Sequence, residues 1–126
     1  MTTPSPTILV IDDDDAARRM MRRALERRGY AVLDASSGAA GLASIRADRP
    51  DLVLLDLRMP GTMSGLDVAT AAKGDPDVCD IPIIIVSASV HTDARTLTTE
   101  TGCEDFIEKP VDFTYLDERI KLQLDR

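Results

Sequence analysis

The chain has 126 residues, 44% of them apolar and 29% charged, with seven glycines, seven prolines and a mean hydropathy near zero, which is the composition of one globular domain with a core. Disordered, collagen-like and coiled-coil organisations are excluded, and so is a membrane span: the longest apolar candidate, residues 81–90, is broken by Pro82, Ser87 and Ser89 and falls short of the roughly 20 residues a bilayer requires. With 22 acidic against 15 basic side chains the net charge is −7, which repels a polyanion and argues against direct nucleic-acid binding.

The opening Met1-Thr2-Thr3-Pro4-Ser5-Pro6 lacks the basic start and apolar core of a secretory signal, so the cytoplasm is the expected compartment. Residues 1–6 are expected to be a flexible lead into a single domain spanning 1–126. Ile8-Leu9-Val10-Ile11 reads as a buried strand. The first helix follows, with Ala16, Ala17, Met20, Met21, Ala24 and Leu25 on one side, Arg18, Arg19, Arg22, Arg23, Arg27 and Arg28 opposite, and Gly29 as its stop. Those arginines form either a solvated face or a docking surface for an acidic partner.

Ala31-Val32-Leu33 is a weaker strand, and a second helix runs from near Ser37 to before Pro50. Leu52-Val53-Leu54-Leu55 is the third strand. A third helix spans about Gly65 to Lys73, ended by Gly74-Asp75-Pro76. Ile83-Ile84-Ile85-Val86 is the fourth strand, followed by a helix from about Thr92 to Thr101 that Gly102 ends. Asp105-Phe106-Ile107 is the fifth strand. Asp112 caps a last helix whose Phe113, Leu116, Ile120 and Leu124 form an apolar stripe. Five strands alternating with five helices predict an α/β fold on a parallel sheet, with the central strands buried on both faces. Cys79 and Cys103 form no framework spacing and are expected to be reduced, half-buried side chains.

In an open parallel sheet, ligands bind beyond the carboxyl ends of the strands. Here those ends carry Asp12-Asp13-Asp14-Asp15, Asp56, Ser87 and Glu108-Lys109-Pro110. Carboxylates gathered at one edge raise each other's pKa unless a cation neutralises them, and Mg²⁺ is suited to one or two carboxylates plus phosphate oxygens. Asp12 or Asp13 with Asp56 fits that role, whereas Asp14 or Asp15 caps the first helix. The turn Leu57-Arg58-Met59-Pro60-Gly61 leaves Asp56 at the sheet rim, where a carboxylate can attack phosphorus and form an acyl phosphate. Ser87 and Lys109 can each pair with a phosphoryl oxygen during in-line transfer.

With Ile8-Leu9-Val10-Ile11-Asp12-Asp13, Leu54-Leu55-Asp56-Leu57-Arg58-Met59-Pro60-Gly61, Val86-Ser87-Ala88 and Phe106-Ile107-Glu108-Lys109-Pro110, the chain resembles the receiver domain of two-component response regulators over essentially its whole length. The resemblance implies a flavodoxin-like (βα)5 fold, a doubly wound five-stranded parallel sheet in the order 2-1-3-4-5. It makes Asp56 the phosphoacceptor and has Asp12 and Asp13 hold Mg²⁺ (or Mn²⁺) with Asp56 and the backbone carbonyl of Arg58. It makes Ser87 the switch hydroxyl, Lys109 the phosphate partner and Phe106 the aromatic that turns inward as Ser87 moves. A cis Lys109-Pro110 bond is also implied.

The implied function is a bacterial phosphorylation-dependent switch rather than an enzyme. A histidine kinase or histidine phosphotransfer protein supplies the phosphoryl group, and the surface of the fourth helix, fifth strand and fifth helix then binds a downstream protein, as a monomer or a phosphorylation-dependent dimer. Arg18, Arg19 and Arg22 are the candidate kinase-docking residues.

Two features depart from the family pattern. Met59-Pro60-Gly61-Thr62-Met63-Ser64-Gly65 is one residue longer than usual and lacks the acidic residue before the glycine, so a reshaped loop over the site is expected. Arg58 places a long cation two residues past the acceptor, where it can alter phosphoryl loss, while small Ala88 keeps the phosphate approachable.

Three rivals stand beside the main reading. Asp12-Asp13-Asp14 also satisfies the DxD pattern of haloacid-dehalogenase-like phosphatases, with Asp12 as nucleophile and Asp14 as acid/base. A receiver-like module that never accepts phosphate is another. The chain ends at Arg126 just after the last helix, which leads us to expect a standalone regulator, although a receiver excised from a larger protein with a DNA-binding or enzymatic output ends the same way.

Overall fold

The computed structural model describes residues 5–59, 61–88 and 94–125, with backbone alone for 94–97. Ten elements alternate along it: β1 (Thr7–Ile11), α1 (Asp15–Arg27), β2 (Ala31–Ala35), α2 (Gly38–Asp48), β3 (Leu52–Asp56), α3 (Gly65–Lys73), β4 (Ile83–Ser87), α4 (Ala94–Thr101), β5 (Asp105–Glu108) and α5 (Phe113–Leu124). All five strands are parallel, in the order β2-β1-β3-β4-β5. The start expected for the fourth helix, Thr92, lies outside the described residues. Of the expected flexible lead, residues 1–4 lie outside them too, while the Pro6 carbonyl accepts from Ala31 N–H at 2.9 Å and is thereby tied to β2.

The central strands read as unbroken apolar runs because both sheet faces are covered. Leu9, Ile11, Val53, Leu55, Ile83 and Ile85 pack with Leu42 and Ile45 of α2 and Val68, Ala69 and Ala72 of α3. Their alternates, Ile8, Val10, Leu52, Leu54, Ile84 and Val86, pack with Met21 and Leu25 of α1 and Leu116 and Ile120 of α5. Four strands run one or two residues past the apolar pattern, ending at Ala35, Asp56, Ser87 and Glu108. Backbone pairing sets these ends rather than side-chain polarity, through the partners Val10 and Asp34, Asp56 and Val86, and Ser87 and Glu108. Asp56 and Ser87 thus sit on the last rung of their strands, at the same rim.

Caps fix where the helices begin. Asp14 accepts from Ala16 and Ala17 N–H, Ser37 from Ala40 N–H, and Asp112 from Thr114 and Tyr115 N–H. Ser64 and Asp67 cap α3 reciprocally. Met63, in the longer loop before α3, packs against α2: a Cβ on Gly38 would meet the Met63 carbonyl oxygen at 2.4 Å, and the Met63 side chain packs on the α2–α3 core.

Three expectations are corrected. In α1, Met20 is 61% exposed and Ala16 is exposed, while Arg18 and Arg22 are half-buried. The helix turns its 18-21-22-25 side to the sheet because Asp34 of β2 draws in both arginines, with Arg22 Nη1 at 2.6 Å and Arg18 Nε at 3.9 Å. In α5 the buried positions are Leu116, Ile120 and Gln123, with Phe113 and Leu124 at the margins. Neither cysteine is half-buried: Cys79 is exposed and Cys103 buried, its thiol pKa pushed up by that burial.

Candidate functional site

β1, lying between β2 and β3, leads into the acidic run; its neighbour β3 delivers Asp56 beside it, and β4, next to β3, brings Ser87 to the same rim. Carboxylate oxygens of Asp12, Asp13 and Asp56 come within 4.8 Å of one another. Asp12 is 5% and Asp56 7% exposed, while Asp13 is exposed. Lys109, one residue past β5, spans the pair, with Nζ 3.1 Å from Asp56 Oδ2 and 3.3 Å from Asp12 Oδ2. Its backbone N–H donates to the Ser87 carbonyl at 3.0 Å, which fixes the start of the loop against β4. The Lys109–Pro110 peptide bond is cis.

Burial raises the Asp56 pKa, and Asp12 adds to that, while the Arg58 N–H (3.0 Å to Oδ1) and Lys109 pull it back without cancelling it. For Lys109, burial works against the ammonium, but the hydrogen bond and charge of Asp56, together with Asp12, outweigh it and hold the pKa above the ordinary lysine value. The site therefore concentrates negative charge that one ammonium only partly offsets. Hard oxygen donors this close fit a small divalent cation, and the donor set contains neither sulfur nor imidazole.

Ser87 is 1% exposed at the end of β4. It lies on the same face as Ile85, whose register partner is Phe106, and the Phe106 ring is half-buried against the α2–α3 core. The Arg58 side chain is exposed, and Ala88 follows Ser87 directly. A cleft of about 310 Å³ runs from Asp12 and Lys109 along Ala17 and Met20 to Phe113. Met20 and Phe113 also border a groove of about 490 Å³ lined by Arg19, Arg23 and Arg27. Of the three arginines predicted to dock a partner, only Arg19 borders that groove. Arg18 and Arg22 are turned inward.

This geometry counts against the phosphatase alternative. Its proposed acid/base, Asp14, is the α1 cap, and its Oδ1 is held by Ala16 N–H at 2.9 Å and Ala17 N–H at 3.3 Å. Two close approaches escaped the sequence reading. A Cβ on Gly65 would lie 2.2 Å from the Asp56 carbonyl oxygen, so α3 can start this near Asp56 only with glycine there. Arg18 Nη1 donates to the Asp12 carbonyl at 2.9 Å, a bond between a helix and a loop that no local pattern announces.

A doubly wound parallel sheet whose carboxyl-end rim gathers three carboxylates, a lysine and a buried serine defines a phosphoryl-accepting signalling module. The chain belongs to the response regulator receiver domain family, whose model matches residues 8–121. It is 40% identical over 120 residues to the phosphate regulon transcriptional regulatory protein PhoB of Pseudomonas aeruginosa, covering 95% of this chain and 52% of that protein. It is 39% identical over 119 residues to the transcriptional regulatory protein CseB of Streptomyces coelicolor, covering 94% and 49%.

This chain thus spans about half the length of these curated relatives. Among solved structures, a CheY-like response regulator receiver domain protein from Methanospirillum hungatei superposes with a TM-score of 0.87 at 30% identity, covering 96% of this chain and 94% of that one. The receiver domain of a signal transduction histidine kinase from Syntrophus aciditrophicus gives 0.87 at 28%, covering 96% and 91%. No described helix is long and apolar enough to cross a membrane.

Proposed function

We propose that this receiver accepts a phosphoryl group from a phosphohistidine onto Asp56, in a reaction that depends on a divalent cation. The observation carrying this is the buried Asp56 carboxylate at a strand end, with Lys109 at 3.1 Å and the oxygens of Asp12 and Asp13 within 4.8 Å. Asp12, Asp13, Asp56 and the Arg58 carbonyl would hold Mg²⁺ or Mn²⁺. When bound, that ion neutralises charge on the carboxylates and on the entering phosphoryl oxygens.

The chain's own groups then have defined tasks. An Asp56 oxygen attacks phosphorus, the P–N bond breaks in line, and the imidazole of the donor leaves with the bonding pair. Lys109 shifts its hydrogen bonds from the carboxylates to a phosphoryl oxygen. Ser87 donates its hydroxyl proton to another, and its movement lets Phe106 turn inward, biasing the surface of α4, β5 and α5 toward a downstream protein partner. The chain acts as a switch in the cytoplasm and turns over no external substrate. Its phosphodonor, a histidine kinase or histidine phosphotransfer protein, docks on the α1 groove, which adjoins the cleft leading to Asp12 and Lys109.

The test is intact mass after incubation with a small acyl-phosphate donor, with and without Mg²⁺, for the native chain and Asp56→Asn. One labile phosphoryl group that requires both Mg²⁺ and Asp56 is expected. Labelling of Asp56→Asn, or none of the native chain, overturns the reading, and the second result makes the domain a phosphate-independent interaction module.

A further inference from the structure

Four consecutive carboxylates, Asp12 to Asp15, repel one another, yet the metal reading needs the first two aimed together at Asp56. The structure shows what holds them. Asp12 N–H donates to the Ala35 carbonyl at 3.1 Å, and Asp14 N–H donates to Asp12 Oδ1 at 2.9 Å. The remaining backbone atom of Asp12, its carbonyl oxygen, accepts from Arg18 Nη1 at 2.9 Å. The same guanidinium gives Nη2 to Asp15 Oδ1 at 2.7 Å and turns Nε toward Asp34 Oδ1 at 3.9 Å. Arg18 is only 16% exposed, and Asp34 is anchored in turn by Arg22 at 2.6 Å.

From this fork we infer that Arg18 is a positioning residue for the cation site: by holding the Asp12 carbonyl it fixes the peptide plane between Asp12 and Asp13, and so aims both carboxylates at Asp56. The planar guanidinium reaches the carbonyl and the Asp15 carboxylate at once, which a lysine ammonium does far less well. Two effects of Arg18 oppose each other. Its charge repels an incoming cation, whereas its hydrogen bond organises the ligands. That charge is already paired with Asp15 and Asp34, so the organising effect wins. The two effects predict opposite results on removal, which makes them separable.

This inference rests on Asp12, Asp13 and Asp56 being a divalent-cation site, and the experiment tests both. Mg²⁺ affinity is measured by titration calorimetry and Mn²⁺ affinity by the electron paramagnetic resonance signal of the free ion. The proteins are the native chain, Arg18→Ala, Arg18→Lys, Arg19→Ala and the ligand variant Asp13→Asn, each with its far-ultraviolet circular dichroism melt. Outer-shell partners of metal ligands typically contribute roughly 10–100-fold in affinity, and we expect at least about fivefold weaker binding for Arg18→Ala. Arg18→Lys, which keeps the charge and the stem, also binds more weakly while melting like the native chain, and it carries the test where the alanine variant fails to fold. Arg19→Ala removes the same charge from the outer face and binds as the native chain does.

Unchanged or tighter binding by a folded Arg18→Ala, native binding by Arg18→Lys, or an equal loss in Arg19→Ala overturns the positioning role. A native chain that binds neither ion, or an Asp13→Asn variant that binds as well as the native chain, overturns the cation site itself and the inference with it.

Discussion

At the scale of single residues, the placement of Asp56 depends on what is absent beside it. Gly65 lets α3 begin against the Asp56 carbonyl, where a methyl group would collide with the oxygen at 2.2 Å and with Leu57 Cα at 2.6 Å. Both obstacles are backbone, so neither can rotate away. Gly65→Ala is expected to cost about 1–3 kcal/mol, as overpacking typically does, and to slow labelling of Asp56 by displacing its turn. Urea unfolding together with the rate of phosphoryl uptake checks this. Native stability with a native rate would show that the loop yields freely. Asp12, Asp56 and Ser87 were readable as site residues because each closes an apolar strand with a polar group. Gly65 was readable only as a helix start, since the atom it avoids belongs to a different element.

At the scale of elements, α1 does two jobs with one set of arginines. Arg18 and Arg22 stitch it to β2 through Asp34, and Arg22 Nη2 also donates to the Val32 carbonyl at 2.9 Å. Arg19, Arg23 and Arg27 border the outer groove around exposed Met20. Reversing the outer pair, Arg19→Glu with Arg23→Glu, is expected to slow transfer from a phosphohistidine protein by about tenfold or more through slower association, while labelling by a small donor stays native. Arg22→Glu is expected instead to lower stability by about 1–3 kcal/mol, because it leaves the Val32 carbonyl and Asp34 without their donor. Transfer kinetics with both donors, beside denaturant melts, separate the two classes. Equal slowing with both donors in the outer double variant would locate its damage in the fold.

At the scale of the whole molecule, the segment that follows α1 is tied to α5. Tyr30 OH donates to Asp117 Oδ1 at 2.6 Å across 87 residues, and Arg28 and Lys121 flank the same carboxylate at 3.7 and 3.2 Å. Burial raises the Tyr30 pKa, as do the bond and charge of Asp117. For Asp117, burial pushes upward but is outweighed by the Tyr30 bond, Lys121 and Arg28, so its pKa lies below the ordinary 3.8.

The signs follow directly. The depressed carboxylate contributes stability that is full above about 3.8 and lost as pH falls through its lower folded value. The raised phenol contributes stability that is full below 10.0 and lost as pH rises through its higher folded value. Tyr30→Phe should therefore cost about 1–2 kcal/mol near neutrality, with the gap to the native chain narrowing at both extremes. Denaturant melts across the pH range check this, and a gap independent of pH would assign the loss to packing alone.

Pattern alone determined the alternation of strands and helices, the acidic cap of α1, the Asp112 cap of α5 and the chemistry at the strand ends, because apolar period, cap residues and polar strand termini are local properties of the chain. Tertiary structure decided which side of α1 faces the sheet, since Asp34 on another element outbids an exposed methionine for that position. It also decided that Gln123 rather than Leu124 is buried, that Met63 leans on Gly38, and that Arg18 reaches back to the Asp12 carbonyl. Each of these depends on two segments far apart in sequence meeting at a few ångströms, a condition that hydrophobic period and motif spacing do not encode.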